Sequence, residues 1–152
     1  MNKKKLIDKA KKDYEETIKH INVAVEFLEP IEKMLPEGWR LTFNTHEIYP
    51  IKVIRGDWNS DKKMPIDEFK LVCKLFEMAT NNSLTREVDA SQENNEIKNI
   101  EARGIYFLKG IDLAYEIIMH NPDHKCDITW KTHTYREAIV DDACLGLVGE
   151  TQ

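Results

Sequence analysis

The segment HNPDHKCDITWKTHTYRE, which begins at His120, gathers His120, His124, Cys126 and His133 into a short stretch with acids close by. Imidazole nitrogen and thiolate sulfur are the donors zinc prefers, but they must converge within roughly 2.0 to 2.3 Å of one point. An imidazole beside a carboxylate, as His133 beside Asp112 would be, can instead work as an oriented general base. Which chemistry is open depends on how the surrounding chain points these side chains.

The strand pattern around them predicts an antiparallel meander. With Lys109 and Gly110 as a two-residue loop, Leu108 pairs with Ile111, Tyr106 with Leu113, Gly104 with Tyr115, Ala102 with Ile117 and Ile100 with Met119, giving one apolar face. The Tyr115 ring then covers a bare glycine, a known means of filling a sheet. A four-residue loop at Asn121 to His124 would set Met119 against Cys126, Ile117 against Ile128 and Tyr115 against Trp130 on the same face. In that register Cys126 points into the core, His120 and His133 point the other way, and His124 lies in the turn. The donors diverge, so the sequence predicts no metal site and no cofactor, unless a β-bulge flips the parity of His133. A helix over DLAYEIIMHN with Asp112 as its N-cap is the competing reading of this apolar run.

The opposite face of the meander is mixed. Arg103 is placed across from Glu116, Asn99 from His120, and Asp112 from His133, pairs typical of a solvated sheet face. Ile105, Phe107, Ala114 and Ile118 share that face. An apolar cluster of Ile105, Phe107 and Ile118 rimmed by Arg103, Lys131 and His133 reads as a small interaction patch.

The other elements must position this sheet. From Leu6 to Leu35, apolar residues recur at helical spacing and predict a long amphipathic helix. Unbroken, it would outreach a globule of this size, so it bends, with Pro30 the obvious place, or it projects. Heptad spacing puts Ile7, Tyr14, Ile21, Leu28 and Leu35 on one seam position, and Ala10, Thr17, Ala24 and Ile31 on the other. The helix could thus pack on the sheet or pair with a second copy. PEGW at Pro36 to Trp39 marks a turn into two short strands, Trp39 to Phe43 and the IKVI run after Pro50. A polar loop, Gly56 to Met64, precedes a helix opened by Pro65, with Asp67 and Glu68 favourable to its dipole and Ile66, Phe69, Val72, Cys73, Phe76 and Ala79 as its buried stripe. Residues 85–96 are polar and acidic and read as a surface loop. In the tail, Ala138 to Val140 could add a fourth meander strand, and the apolar residues beyond favour docking on the body.

Composition sets limits on function. The chain has 152 residues, a net charge of −5 and 41% hydrophobic residues, which fits a single folded domain. No apolar run is long enough to cross a bilayer, and the lysine-rich start lacks an apolar signal core, so a cytoplasmic protein with no membrane partner is expected. Cys73, Cys126 and Cys144 are odd in number and form no CxxC, against a disulfide framework. The acidic total argues against a nucleic-acid partner on counterion grounds; Lys3, Lys4, Lys5, Lys9, Lys11 and Lys12 read first as a frayed, solvated end over residues 1–12 and second as a phosphate contact. No nucleotide-loop, serine-hydrolase, zincin or EF-hand motif is present, and DEFK at Asp67 has a nuclease-like spelling only on a helix.

The expected architecture is α+β: a long N-terminal helix and a second helix packed on one face of an antiparallel β-meander, in two layers. The expected function is binding or regulation by protein–protein contact, without catalysis, with a homodimer or an inhibitor as compatible forms. The alternatives are a small enzyme using Asp112, Glu116 and His133 on the polar sheet face, and a nucleic-acid contact through the N-terminal lysines.

Overall fold

The computed structural model describes residues 2–91, 96–123, 129–132 and 136–140. It is an α+β fold in which two helices pack on one face of a mixed five-stranded sheet of order β1-β2-β6-β5-β4. These strands are β1 (Trp39–Phe43), β2 (Ile51–Arg55), β4 (Thr85–Ser91), β5 (Glu96–Leu108) and β6 (Ile111–His120). Among the described residues four short strands form two further pairs: β3 (Met64–Pro65) pairs in parallel with β7 (Pro122–Asp123), and β8 (Thr129–Thr132) pairs antiparallel with β9 (Arg136–Ile139).

The β5–β6 hairpin has the register expected from the sequence, from Leu108↔Ile111 through Gly104↔Tyr115 to Asn99↔His120. Lys109 and Gly110 both take positive φ, 51° and 81°, the backbone of a type I′ turn whose twist suits a two-residue hairpin. Near its start β5 carries a bulge that skips Lys98, so Ala90 pairs with Ile97 while Asp89 pairs with Asn99. The parity change lets Ile97 and Ile100 both face the core.

The second hairpin of the expected meander does not form. The neighbour of β6 is β2, running parallel, so Tyr115 lies beside Ile51 and Ile117 beside Val53 rather than beside Trp130 and Ile128. Ile51 and Val53 are fully buried, and they offer β6 the same alternating apolar face that the downstream segment was expected to supply. The chain leaves β6 at Asn121, in the left-handed region, with its backbone N–H donating to the Lys98 carbonyl and its side-chain amide donating to the carbonyls of Ser60 and Lys62. That network draws Pro122 and Asp123 toward Met64 and Pro65. The tail strand β9 pairs with β8 instead of extending the main sheet, while Val140 is buried in the core.

The polar segment expected to be a loop over 85–96 is strand β4 as far as Ser91, an edge strand whose residues Arg86 to Asp89 pair with Ala102 to Asn99. Alternation explains it: Val88 and Ala90 pack against the core, and Glu87 and Asp89 are exposed.

Helix α1 (Lys3–Glu32) starts on an Asn2 cap that accepts from the Lys5 N–H, and it continues through Pro30 before the Lys33 N–H closes it on Glu29. At 1.5 Å per residue it is about 45 Å long, and only Val23, Ala24, Phe27, Leu28 and Ile31 are buried. Residues 2–16 are exposed, so the N-terminal half of the helix projects from the body. Helix α2 (Ile66–Thr80) ends on Asn81 in the left-handed region; its buried stripe closes on Thr80, whereas Ala79 is exposed. Phe27 of α1, Phe76 of α2 and Tyr106 and Tyr115 of the hairpin form one aromatic cluster with centroid separations of 4.7 to 6.2 Å, joining both helices to the sheet.

Candidate functional site

The sheet face turned away from the helices is built by odd–even alternation from Glu87 and Asp89 of β4, Glu101, Arg103, Ile105 and Phe107 of β5, Asp112, Glu116 and Ile118 of β6, and Lys52 of β2. Arg103 sits at the centre of its charges. Nε donates to Glu116 at 2.6 Å, and the two terminal nitrogens donate to Glu87 and Glu101, each at 2.7 Å. The Tyr49 ring lies against the guanidinium, 5.2 Å from ring centroid to Cζ.

Glu116 is only 6% exposed although it lies on the open face, because it occupies the central strand between Lys52 and Arg103. A buried carboxylate is tolerable there because Arg103 neutralises it with a short charge-assisted bond. Glu101 is held above the usual carboxylate range, first by burial and then by the neighbouring Glu116 charge, with Arg103 opposing. The Arg103 guanidinium is held still more firmly protonated by its bond to Glu116. Lys52 is raised in turn by its bond to Glu47.

Further along β5 the same face becomes apolar. Ile105 and Phe107 are 57% and 66% exposed, two residues apart on one strand and adjacent to Arg103. Ile118 does not join them. It is 8% exposed, enclosed between Ile54 and Glu101 on the flanking strands, and so stabilises the sheet instead of offering a contact. Lys131 lies in β8, opposite Glu137 of β9, in a two-stranded sheet separate from this face. His133, His124 and Cys126 lie outside the described residues. Asp112 stands across from Phe107, two residue pairs beyond the Ala114–Ile105 step that separates it from Glu116, so the two acids do not share one centre.

One arrangement on this face was only half visible in the sequence. His120 Nδ1 and Asn99 Oδ1 are 2.6 Å apart, and Asn99 Nδ2 reaches Asp89 at 3.5 Å, giving a polar line across three strands. The Asn99–His120 pair follows from the hairpin register, but Asp89 required the fold of β4. Burial holds the His120 ring below its ordinary range, with the nearby Arg40 charge adding to the effect. Among the described residues no group of three or more His, Cys, Asp or Glu side chains is placed to hold a metal ion. Two shallow grooves run along α1, one of them reaching Lys109, and neither is lined by Asp112 or Glu116. No helix of the described residues is long and apolar enough to cross a membrane.

Compared with protein-family models, curated proteins and solved structures, the chain matches none. Its chemistry therefore has to be read from this geometry.

Proposed function

We propose that this is a binding or regulatory protein that acts by protein–protein contact through the open sheet face, without catalysis of its own. The observation that carries the reading is the exposed Ile105–Phe107 pair beside the Arg103 cluster. An aromatic and an aliphatic side chain raised on a rigid hairpin, next to charges already ordered by one another, match the apolar centre and polar rim of an interface. The exposed Asp112 across from Phe107 and the exposed Glu87 beside Arg103 favour a basic partner surface. The cytoplasm is the compartment consistent with this reading and with Cys73 as a free thiol.

The enzyme alternative has less support. Glu116 is buried and bonded to Arg103, which leaves it poorly placed to reach a substrate. The experiment is affinity capture with wild-type and Phe107→Asp baits at low and moderate salt. A partner retained by the wild type, lost with Phe107→Asp and weakened by salt supports the reading, provided the variant melts like the wild type. Equal retention by both baits refutes the patch.

A further inference from the structure

Helix α1 carries two apolar stripes, and the body of the protein uses only one. At 3.6 residues per turn, the buried stripe of Val23, Ala24, Phe27, Leu28 and Ile31 is centred about 120° around the helix from a second stripe. That second stripe is Ile7, Tyr14, Ile18, Ile21 and Val25. Ile21 is half-buried, and the others range from 39% to 68% exposed. Their 7-4-3-4 spacing is that of a coiled-coil seam, with Lys11 at the vacant step. Outside the body, residues 3–16 are exposed and extend for about 21 Å with this seam open.

We infer that the seam binds a second copy of the same helix, antiparallel. The charge distribution selects both partner and direction. Residues 3–12 carry six lysines against Asp8, and residues 13–32 carry six acids against Lys19. The helix is thus basic at one end and acidic at the other in equal measure. A parallel pair would lay like ends together, whereas an antiparallel pair lays each basic end along the other's acidic half, through one self-complementary surface and a two-fold axis. With Tyr14 against the second copy's Ile18, Ile7 meets Val25, Lys4 lies over Glu29 and Glu15 lies over Lys19. The flank turned toward the body is small or apolar there, with Leu6, Ala10 and Thr17, which allows close approach. An anionic membrane would attract the lysines but repel Glu15, which flanks the apolar stripe, and would gain nothing from Asp13 and Glu16 on the same turns. This interface is separate from the Ile105–Phe107 patch and does not rest on it.

The test is sedimentation equilibrium of the full chain at physiological salt over a wide concentration range, with a vesicle co-sedimentation arm using phosphatidylserine. The wild type should show a concentration-dependent dimer, and Tyr14→Asp and Ile18→Asp should each weaken it about tenfold or more. At concentrations where the wild type is monomeric their melting temperatures should match it, because Tyr14 is exposed and Ile18 only edges the groove beside Lys109. Lys4→Glu and Glu29→Lys should each weaken the homodimer about fivefold, and mixing the two should restore association as a heterodimer. Phe107→Asp should dimerise normally. A wild type that stays monomeric, including one that binds vesicles as a monomer, overturns the inference. So does a dimer lost with Phe107→Asp or indifferent to Tyr14→Asp, and failure of the charge-swapped pair to recover overturns the antiparallel arrangement.

Discussion

Replacing Gly104 with alanine adds a single carbon, and the structure says what that carbon would strike. An ideal Cβ at residue 104 falls 2.3 Å from Tyr115 Oη, 2.5 Å from Tyr115 Cζ and 3.0 Å from Leu84 Cδ2. Gly104 does not occupy the left-handed region, so the backbone itself accepts alanine and the cost is steric. The ring cannot simply swing aside: Tyr115 is fully buried, with Phe76 at 4.7 Å and Phe27 at 6.2 Å between centroids. Overpacking of a filled core costs about 1 to 3 kcal/mol, and with two contacts below 3 Å the upper part of that range, about 2 to 3 kcal/mol, is expected. In a Tyr115→Leu background the two closest atoms are absent and only the flexible Leu84 end remains, so the same alanine should cost under about 1 kcal/mol, a coupling of roughly 2 kcal/mol. Urea unfolding followed by circular dichroism on the four members of the cycle measures this directly. If Gly104→Ala is neutral, or if the two substitutions simply add, then the ring does not cover residue 104 and the hairpin register is wrong.

Arg103→Met should destabilise by about 1 to 3 kcal/mol at pH 7, since it leaves the buried Glu116 without its cation. Glu101, already held above its ordinary range by burial and by the Glu116 charge, would also lose the opposing Arg103 charge. Its penalty is full above the folded value and shrinks as pH falls, so urea midpoints of variant and wild type should converge toward about pH 4. His120 has its folded pKa below the ordinary 6.5, so its neutral form favours the fold above about that pH. That contribution is lost as pH falls through the folded value. The wild type should lose more melting temperature than His120→Gln between pH 7.5 and 5; equal slopes would refute the burial of the ring. The Cys73 thiol is buried and pushed well above its usual range by desolvation, so a thiol-reactive disulfide at pH 8 should modify it only in denaturant. Peptide mapping separates it from Cys126 and Cys144, and native labelling at Cys73 would contradict its place on α2.

Several features were readable from the chain alone because local chemistry fixes them. The β5–β6 hairpin follows from a turn that requires positive φ at Lys109 and Gly110 and from a period of two that only one register satisfies. Both helices follow from their 3.6-residue periodicity, and Arg103 opposite Glu116 and the outward Ile105 and Phe107 follow from the hairpin. What depends on distant parts of the chain was decided by tertiary structure. The strand beside β6 is β2, more than fifty residues earlier in sequence, and Ile51 and Val53 present the same apolar alternation as the downstream segment. Alternation reports which side chains face inward but not which strand lies alongside. Likewise β4 looked like a loop because an edge strand needs only one apolar face, and Val88 and Ala90 gave a weak signal amid charges. Ile118 has the sequence parity of a surface residue, and only its central position between longer neighbours buries it. The heptad in α1 was visible from the start. Which of its two apolar stripes the body covers was settled by how the sheet receives Phe27 and Leu28, and that choice leaves Ile7, Tyr14, Ile18 and Val25 open.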